Sequence, residues 1–290
     1  MTTFAIAGVQ LEAPQGDNLD LISRHVDRVK ARFPWVRMVV FGELCPFGSD
    51  PGNAQPMPGP AEDHLRGLAR KHDVWLIPGS LYEADGDKIF NTAPVIDPKG
   101  EVVARHRKIY PFMPYEKGID PGDSHTVFDV PDVGRFGLSI CYDMWFPETT
   151  RALAWMGAEV ILHPSLTNTI DRELEVTLAR ANASMNQCYF IDINNAGALG
   201  LGQSVIVGPE GDVVHLAGRT QETIPVVVDL ERVRRTRRTG LMGLGQVLKS
   251  FRDGAVSFPQ YAEGAKSPTL EGYGPLRMMS AGATLPEAAE

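Results

Sequence analysis

The stretch RFGLSICYDMWFPE, residues 135–148, sets the reading of the whole chain. Phe136, Leu138 and Ile140 alternate with other side chains, the two-residue period of a strand. Cys141 stands where that strand should stop. Pro147 suits the first turn of a following helix. A helix is therefore predicted over 147–156, with Gly157 as its stop, and EVILHP (159–164) reads as the next strand.

The same alternation extends in both directions. Downstream, a helix is predicted over 171–187, with Leu174, Leu178, Ala181 and Met185 on one face. CYFIDIN (188–194) is a strand, and SVIVGPEGDVV (204–214) is a hairpin. Upstream, TFAIAGV (3–9) is a buried strand, and a helix over 17–33 spaces Leu19, Ile22, Val26, Val29 and Phe33 along one side. RMVVF (37–41) is a strand, and Leu65, Leu68 and Ala69 mark a helix over 61–72. VWLIPGSLY (74–82) and IFNTAPVID (89–97) read as strands, and the turn DPKGE (97–101) leads into EVVARHRKI (101–109). PEGD (209–212) echoes PKGE, so the order β-α-β-α-β-β occurs twice.

This weak duplication, at a period of roughly 130 residues, is too long for a solenoid. Continuously apolar strands need cover on both faces, which puts sheets inside and helices outside. The expected fold is α/β: a four-layer α-β-β-α sandwich of two similar halves, with a doubly wound sheet as the alternative. Residues 1–239 form the expected domain. After Thr239 the pattern fails, leaving an extension over 240–290 with one helical piece near Gln246 to Arg252. Its Pro, Gly, Ser and Ala-rich end, 264–290, is expected to be irregular and to cover the body or a partner subunit.

Composition narrows the function classes. The 290 residues are 43% hydrophobic and 22% charged, as in ordinary globular proteins. The net charge of −8 argues against a nucleic-acid surface. ERVRRTRR (231–238) is a local exception, read as a solvated helix face, with a subunit contact or an anion site left open. No stretch approaches the ~20 apolar residues of a membrane span. The start, MTTFAIAGVQLEAP, lacks the basic region of a signal peptide. Cys45, Cys141 and Cys188 are an odd number without CxxC spacing, which points to a reducing compartment, the cytoplasm, rather than to disulfides or structural zinc. Neither HExxH, GxGxxG after a strand nor GxxxxGK[ST] occurs, so the chain carries no such metal-ligand or phosphate-binding pattern.

Three polar residues stand just past strand ends: Glu43 after RMVVFG, Lys108 after EVVARHR and Cys141 after RFGLSI. Ligands gather at such carboxyl ends. A free thiol at pKa ~8.5 is mostly protonated at neutral pH. A sharp strand-to-helix turn exposes the sulfur, its helix end favours negative charge, and the Tyr142 N–H just after it can face an oxyanion. The residues alone leave open a buried core thiol at Cys141, a solvated or capping carboxylate at Glu43, and a solvated lysine at Lys108. Glu116 alone is an ordinary loop glutamate. Cys188 reads as core and Cys45 as a loop cysteine. His106, His125 and His163 lie near strand ends; His163, in ILHPS, is the rival base for a cysteine.

FGELCPFG, RHRKIYPF and GLSICYDMWFPE resemble, in order, the glutamate, lysine and cysteine motifs of the nitrilase superfamily of carbon-nitrogen hydrolases. LARANASMNQCYFIDINNAG and GQSVIVGPEGDVV are similar to later family patterns, so the likeness covers roughly residues 3–230. The resemblance implies an α-β-β-α sandwich without metal or cofactor, assembled as a homodimer or larger even homo-oligomer. It implies Glu43 as general base, Cys141 as nucleophile, Lys108 as oxyanion stabiliser and Glu116 as an orienting second glutamate. Where N-carbamoyl-D-amino acid hydrolases carry arginines after the cysteine, this chain has Met144 and Trp145, which implies a neutral or apolar acyl group; Arg172 and Arg180 are other possible carboxylate holders. Tyr142 and Asp143, in place of the Trp-Glu of true nitrilases, favour a small amide as substrate. Phe112, Trp145 and Ser165 are the expected pocket residues. The alternatives are an N-carbamoyl-amide hydrolase or nitrilase of the same superfamily, a non-catalytic scaffold subunit, and a Cys-His transferase or peptidase using His163.

Overall fold

In the computed structural model, which describes residues 2–276, the first half forms β1 (Thr3–Gln10), α1 (Leu19–Arg32), β2 (Met38–Phe41), β3 (Gln55–Pro56), α2 (Pro60–His72), β4 (Trp75–Ile77), β5 (Leu81–Asp85), β6 (Lys88–Ile96) and β7 (Val102–Arg107). The second half forms β8 (Thr126–Val130), β9 (Gly134–Leu138), α3 (Pro147–Trp155), β10 (Val160–Ser165), α4 (Arg172–Asn186), β11 (Tyr189–Asn194), β12 (Val205–Val207) and β13 (Val213–Leu216). β14 (Glu222–Asp229), α5 (Leu230–Thr239), α6 (Val247–Asp253) and the short α7 (Pro268–Glu271) follow.

One sheet runs β14-β1-β2-β4-β6-β5-β3, with β7 on β6; the other runs β13-β12-β11-β10-β9-β8. The duplication is real at the level of topology. β1, β2 and β4 are parallel, as are β9, β10 and β11. Each trio continues into an antiparallel hairpin, β6–β7 or β12–β13, across the two echoing turns. Each is flanked by one antiparallel strand, β14 on β1 and β8 on β9. The repeat has no constant period, because the first half also carries β3 and β5.

The strands are apolar throughout because both faces are buried. Ile6, Met38, Val40 and Ile77 meet Leu138, Val160, Leu162 and Ile191 between the sheets. The alternate residues Val39 and Phe41 turn outward against Ile22, Val26, Leu65 and Leu68 of α1 and α2. Ile161 and Phe190 do the same against Leu153, Ala179 and Ala183 of α3 and α4. The layers are therefore helix, sheet, sheet, helix, the sandwich rather than a doubly wound sheet.

Four local expectations need correction. Residues 74–82 form two strands, because Pro78 and Gly79 break the run. Gly79 has φ +88, and a Cβ there would lie 1.8 Å from the Gly42 carbonyl oxygen, so the turn excludes a side chain. In α4 the face toward the sheet is Glu175, Ala179, Asn182, Ala183 and Asn186, while Leu174 and Met185 are exposed. The basic run is not mainly a solvated face. Arg232 pairs with Glu210 and Asp212, Arg234 with Glu159, and Arg237 donates to the carbonyls of Ala158 and Gln187, so α5 is clamped to the body. β8 and β14 escape the sequence pattern. β14 tolerates Pro225 because it is an edge strand.

Beyond α5 the chain returns to the outer surface of α3. Phe251 packs edge-on to Trp155 at 5.8 Å, and the Tyr261 hydroxyl donates to Glu148 at 2.9 Å. Residues 277–290, the end of the segment expected to be irregular, lie outside the described residues.

Candidate active site

The carboxyl ends of the parallel strands in both sheets open onto one region, and four of the singled-out residues meet there. Glu43 leaves β2 with its backbone held by the opposite sheet: its N–H donates to the Ser165 carbonyl at 3.1 Å, and Asn195 Nδ2 donates to its carbonyl at 2.7 Å. Gly42 is required for this approach, since a Cβ there would lie 2.6 Å from Asn195 Oδ1.

The Glu43 side chain is buried, and its Oε1 accepts from Lys108 Nζ and Asn91 Nδ2, each at 2.8 Å. Lys108, equally buried at the end of β7, also donates to Glu116 Oε2 at 2.7 Å. Glu116 is fixed by the Phe112 N–H. The result is a carboxylate–ammonium–carboxylate row. Burial pushes the Glu43 carboxyl above its usual range, and Lys108 only partly opposes this. Burial alone would push the Lys108 ammonium down, but the neighbouring acidic groups, Glu43 first, outweigh it and hold it well above the usual lysine range.

Cys141 sits beside Glu43 and opens a 3₁₀ turn, Cys141–Trp145. Its φ of +45 is uncommon for a residue with a Cβ, and the predicted sharp elbow is present in that strained backbone. β9 ends at Leu138, three residues before the end that RFGLSIC suggests. Burial, then the neighbouring charge of Glu43, pushes the Cys141 thiol up, so the resting sulfur is protonated and needs a base to take its proton. Thr167 Oγ1 lies 3.9 Å from the sulfur. The Tyr142 N–H belongs to the first turn of the 3₁₀ segment, where such groups lack a partner within the helix.

Asp143, read from sequence only as a mark of amide over nitrile, has a structural role as well. It is fully buried, and its two oxygens accept four contacts: Ile140 N at 2.9 Å, Ile109 N at 3.1 Å, Tyr110 N at 2.9 Å, and His106 Nε2 facing it at 3.1 Å. It joins the cysteine turn to the segment just past Lys108. A carboxylate between a buried strand and a helix start is the signal that could have flagged it. Asn91, Asn195 and Thr167 were also missed, since nothing in an isolated strand pattern marks them.

Phe112 and Trp145 line the cavity at Cys141, together with Tyr115 and Tyr142. Ser165 does not. Its hydroxyl is spent on Asp192 at 2.7 Å inside the second sheet, so it is scaffold rather than pocket wall. His163 is not placed as a base for the thiol. It is buried, bonded to Ser139 at 2.7 Å and packed on Phe190, and burial pushes it down to about 4. Cys45 and Cys188 are buried in the two outer cores, and burial pushes the Cys188 thiol up to about 12. Arg172 is buried against Glu175 and Asp192, and Arg180 donates to the Gly211 carbonyl. Among the described residues no cluster of His, Cys, Asp and Glu is arranged to hold a metal ion, and no helix is long and apolar enough to cross a membrane.

Residues 5–238 match the carbon-nitrogen hydrolase family. Omega-amidase NIT2 of Mus musculus is 30% identical over 260 residues, covering 82% of this chain and 93% of that protein. Omega-amidase NIT3 of Saccharomyces cerevisiae is 31% identical over 261 residues, covering 80% and 89%. The crystal structure of Saccharomyces cerevisiae Nit3, a member of branch 10 of the nitrilase superfamily, superposes with a TM-score of 0.76 at 29% identity, covering 82% of this chain and 94% of that one. A mutant of the Nesterenkonia AN1 amidase superposes with a TM-score of 0.72 at 28% identity, covering 81% and 94%. With its two-sheet sandwich and its Glu-Lys-Cys cavity, this chain belongs to the carbon-nitrogen hydrolases of the nitrilase superfamily, in the amidase-like branch, and is an enzyme.

Proposed function

We propose that the chain hydrolyses the C–N bond of a small, neutral carboxamide to acid and ammonia, through an acyl-thioester at Cys141. The observation that carries this reading is the Cys141 thiol in one cavity with a buried glutamate that itself holds a buried lysine at 2.8 Å. In a Glu-to-Gln mutant of the Nesterenkonia amidase, acrylamide, by Michael addition, and the acetamide moiety of fluoroacetamide add covalently at the active site cysteine, which supports a nucleophilic cysteine here.

Glu43 takes the Sγ proton, and the thiolate attacks the amide carbon. Lys108 and the Tyr142 N–H stabilise the oxyanion; donors fixed in a water-poor site are worth several kcal/mol to it, about 2.7–4 for one donor. Protonated Glu43 passes its proton to the nitrogen, the C–N bond breaks and ammonia leaves. Glu43 then deprotonates a water that attacks the thioester carbonyl. The C–S bond breaks, the sulfur regains its proton from Glu43, and the acid departs. Glu116 holds Lys108 in line and orients the amide or the water.

The exposed apolar residues Trp155, Met156, Leu174 and Met185 support assembly as a homodimer or larger even homo-oligomer. Three free thiols support a cytoplasmic location.

The test is ammonia release from a panel of small amides, with mass spectrometry of the protein during turnover. An acyl adduct on Cys141 is expected. Cys141→Ala should lose at least about a thousandfold in kcat/KM while keeping the wild-type melting profile. Ammonia release by that variant at the original rate would overturn the assignment.

A further inference from the structure

Two cavities meet at Cys141. The smaller, about 270 Å³, contains Glu43, Lys108 and Glu116. The larger, about 550 Å³, opens between the 3₁₀ turn and the loop over 166–171. On the amidase reading above, the smaller one takes the scissile amide and the larger one the remainder of the acyl group.

The larger cavity has aromatic walls, Phe112, Tyr115, Tyr142 and Trp145, and two carboxylates, Asp171 and Glu175. Among the described residues no lysine, arginine or histidine lines it. Arg172, adjacent to Asp171 in sequence, turns away. Its Nη1 donates to Glu175 at 3.1 Å, and its Nη2 donates to Asp192 at 2.7 Å and to the Gln203 carbonyl at 2.9 Å. The indole N–H of Trp145 is already committed to Glu175 at 3.3 Å. Of the lysines around Cys141, Lys108 is shared between two carboxylates, and Lys117 is exposed on the rim of the other cavity.

We propose that this pocket selects substrate by charge: it accepts amides whose acyl chain ends in an ammonium or in an uncharged group, and rejects those ending in a carboxylate. A carboxylate entering here sheds water without gaining a counter-ion and meets the like charge of Asp171. An ammonium meets four aromatic side chains and the half-buried Asp171 carboxylate, surroundings that favour a cation over an anion.

The test compares three amides of equal chain length: 5-aminopentanamide, hexanamide and the monoamide of adipic acid. The cationic amide should match or exceed the neutral one in kcat/KM, and the anionic one should fall at least about tenfold below it. Asp171→Asn should lower the cationic-to-neutral ratio and raise the anionic-to-neutral ratio. Turnover of the adipic monoamide equal to that of hexanamide overturns the charge selection. So does turnover of it that disappears in Lys117→Met, since the carboxylate is then read in the smaller cavity. Acceptance of acetamide with silence toward all three longer amides means that the larger cavity is not the acyl pocket. Silence toward every amide overturns instead the amidase reading on which the proposal rests.

Discussion

Two strand exits, one from each sheet, face the same cavity and are built differently. After β2 the side chain facing the cavity is a carboxyl, and its problem is electrostatic: Glu43 is buried and is answered by Lys108 and Asn91. The left-handed residue of that turn is its neighbour Leu44, with φ +52. After β9 the side chain facing the cavity is a thiol, and its problem is conformational. Cys141 itself carries the positive φ, and the turn is held by the Asp143 carboxylate accepting the Ile140 N–H. The first exit preorganises charge; the second preorganises backbone. Substitutions on the two sides should therefore fail in different ways.

The largest effect is expected on the charged side. Lys108→Met leaves Glu43 and Glu116 without the ammonium between them. kcat/KM should drop at least about a thousandfold through loss of the oxyanion donor. Removing the cation also raises the Glu43 carboxyl further, so the acidic limb of the pH–rate profile should move to higher pH in whatever activity remains. A variant that loses rate with an unmoved limb would break the link between Lys108 and the base.

On the backbone side, Asp143→Asn keeps the shape but removes the negative charge that gathers three backbone N–H groups. We expect kcat to fall roughly ten- to a hundredfold, with KM changed less and the acidic limb in place, as for displaced rather than discharged reacting groups. A shift of the limb as large as that in Lys108→Met would erase the distinction between the two exits.

The smallest effect concerns stability alone. His163 lies under the second exit, buried and held down to about 4 from an ordinary 6.5. Between those values the unfolded chain binds a proton that the folded one refuses, so stability rises with pH across this window. The His163 contribution is whole above 6.5 and shrinks as pH falls toward 4, by roughly 3 kcal/mol over the window. His163→Asn should flatten that slope in denaturant melts at pH 4 to 7, while turnover falls less than in Asp143→Asn. Collapse of turnover to the level of Cys141→Ala would instead revive the histidine as the thiol's base.

Much of the architecture is legible in sequence because both faces of each central strand are buried. This writes continuous apolar runs, and the hairpin turns PKGE and PEGD mark the end of each half. What escaped has local causes. Pro225 hides β14. The apolar residues Leu174, Leu178, Ala181 and Met185 suggest the wrong face of α4, because the inner face is polar: Glu175 meets Arg172 and Trp145, and Asn182 donates to the Met144 carbonyl. At the site, Glu43 and Cys141 stand out as polar residues ending apolar strands, while Lys108, closing the basic run RHRK, is marked only by the family resemblance. Asp143, Asn91 and Asn195 do not stand out, because their importance lies in backbone groups far along the chain.

The sequence by itself determined the strand and helix periods, the duplicated order of elements and the residue types able to do thiol chemistry. These depend on neighbours a few positions away, where spacing maps directly onto a face. The tertiary structure alone decided that β14 closes the first sheet, that Arg172 turns from the cavity, and that one lysine sits between two glutamates. Those outcomes depend on which distant groups share a space too dry to leave a charge unpaired.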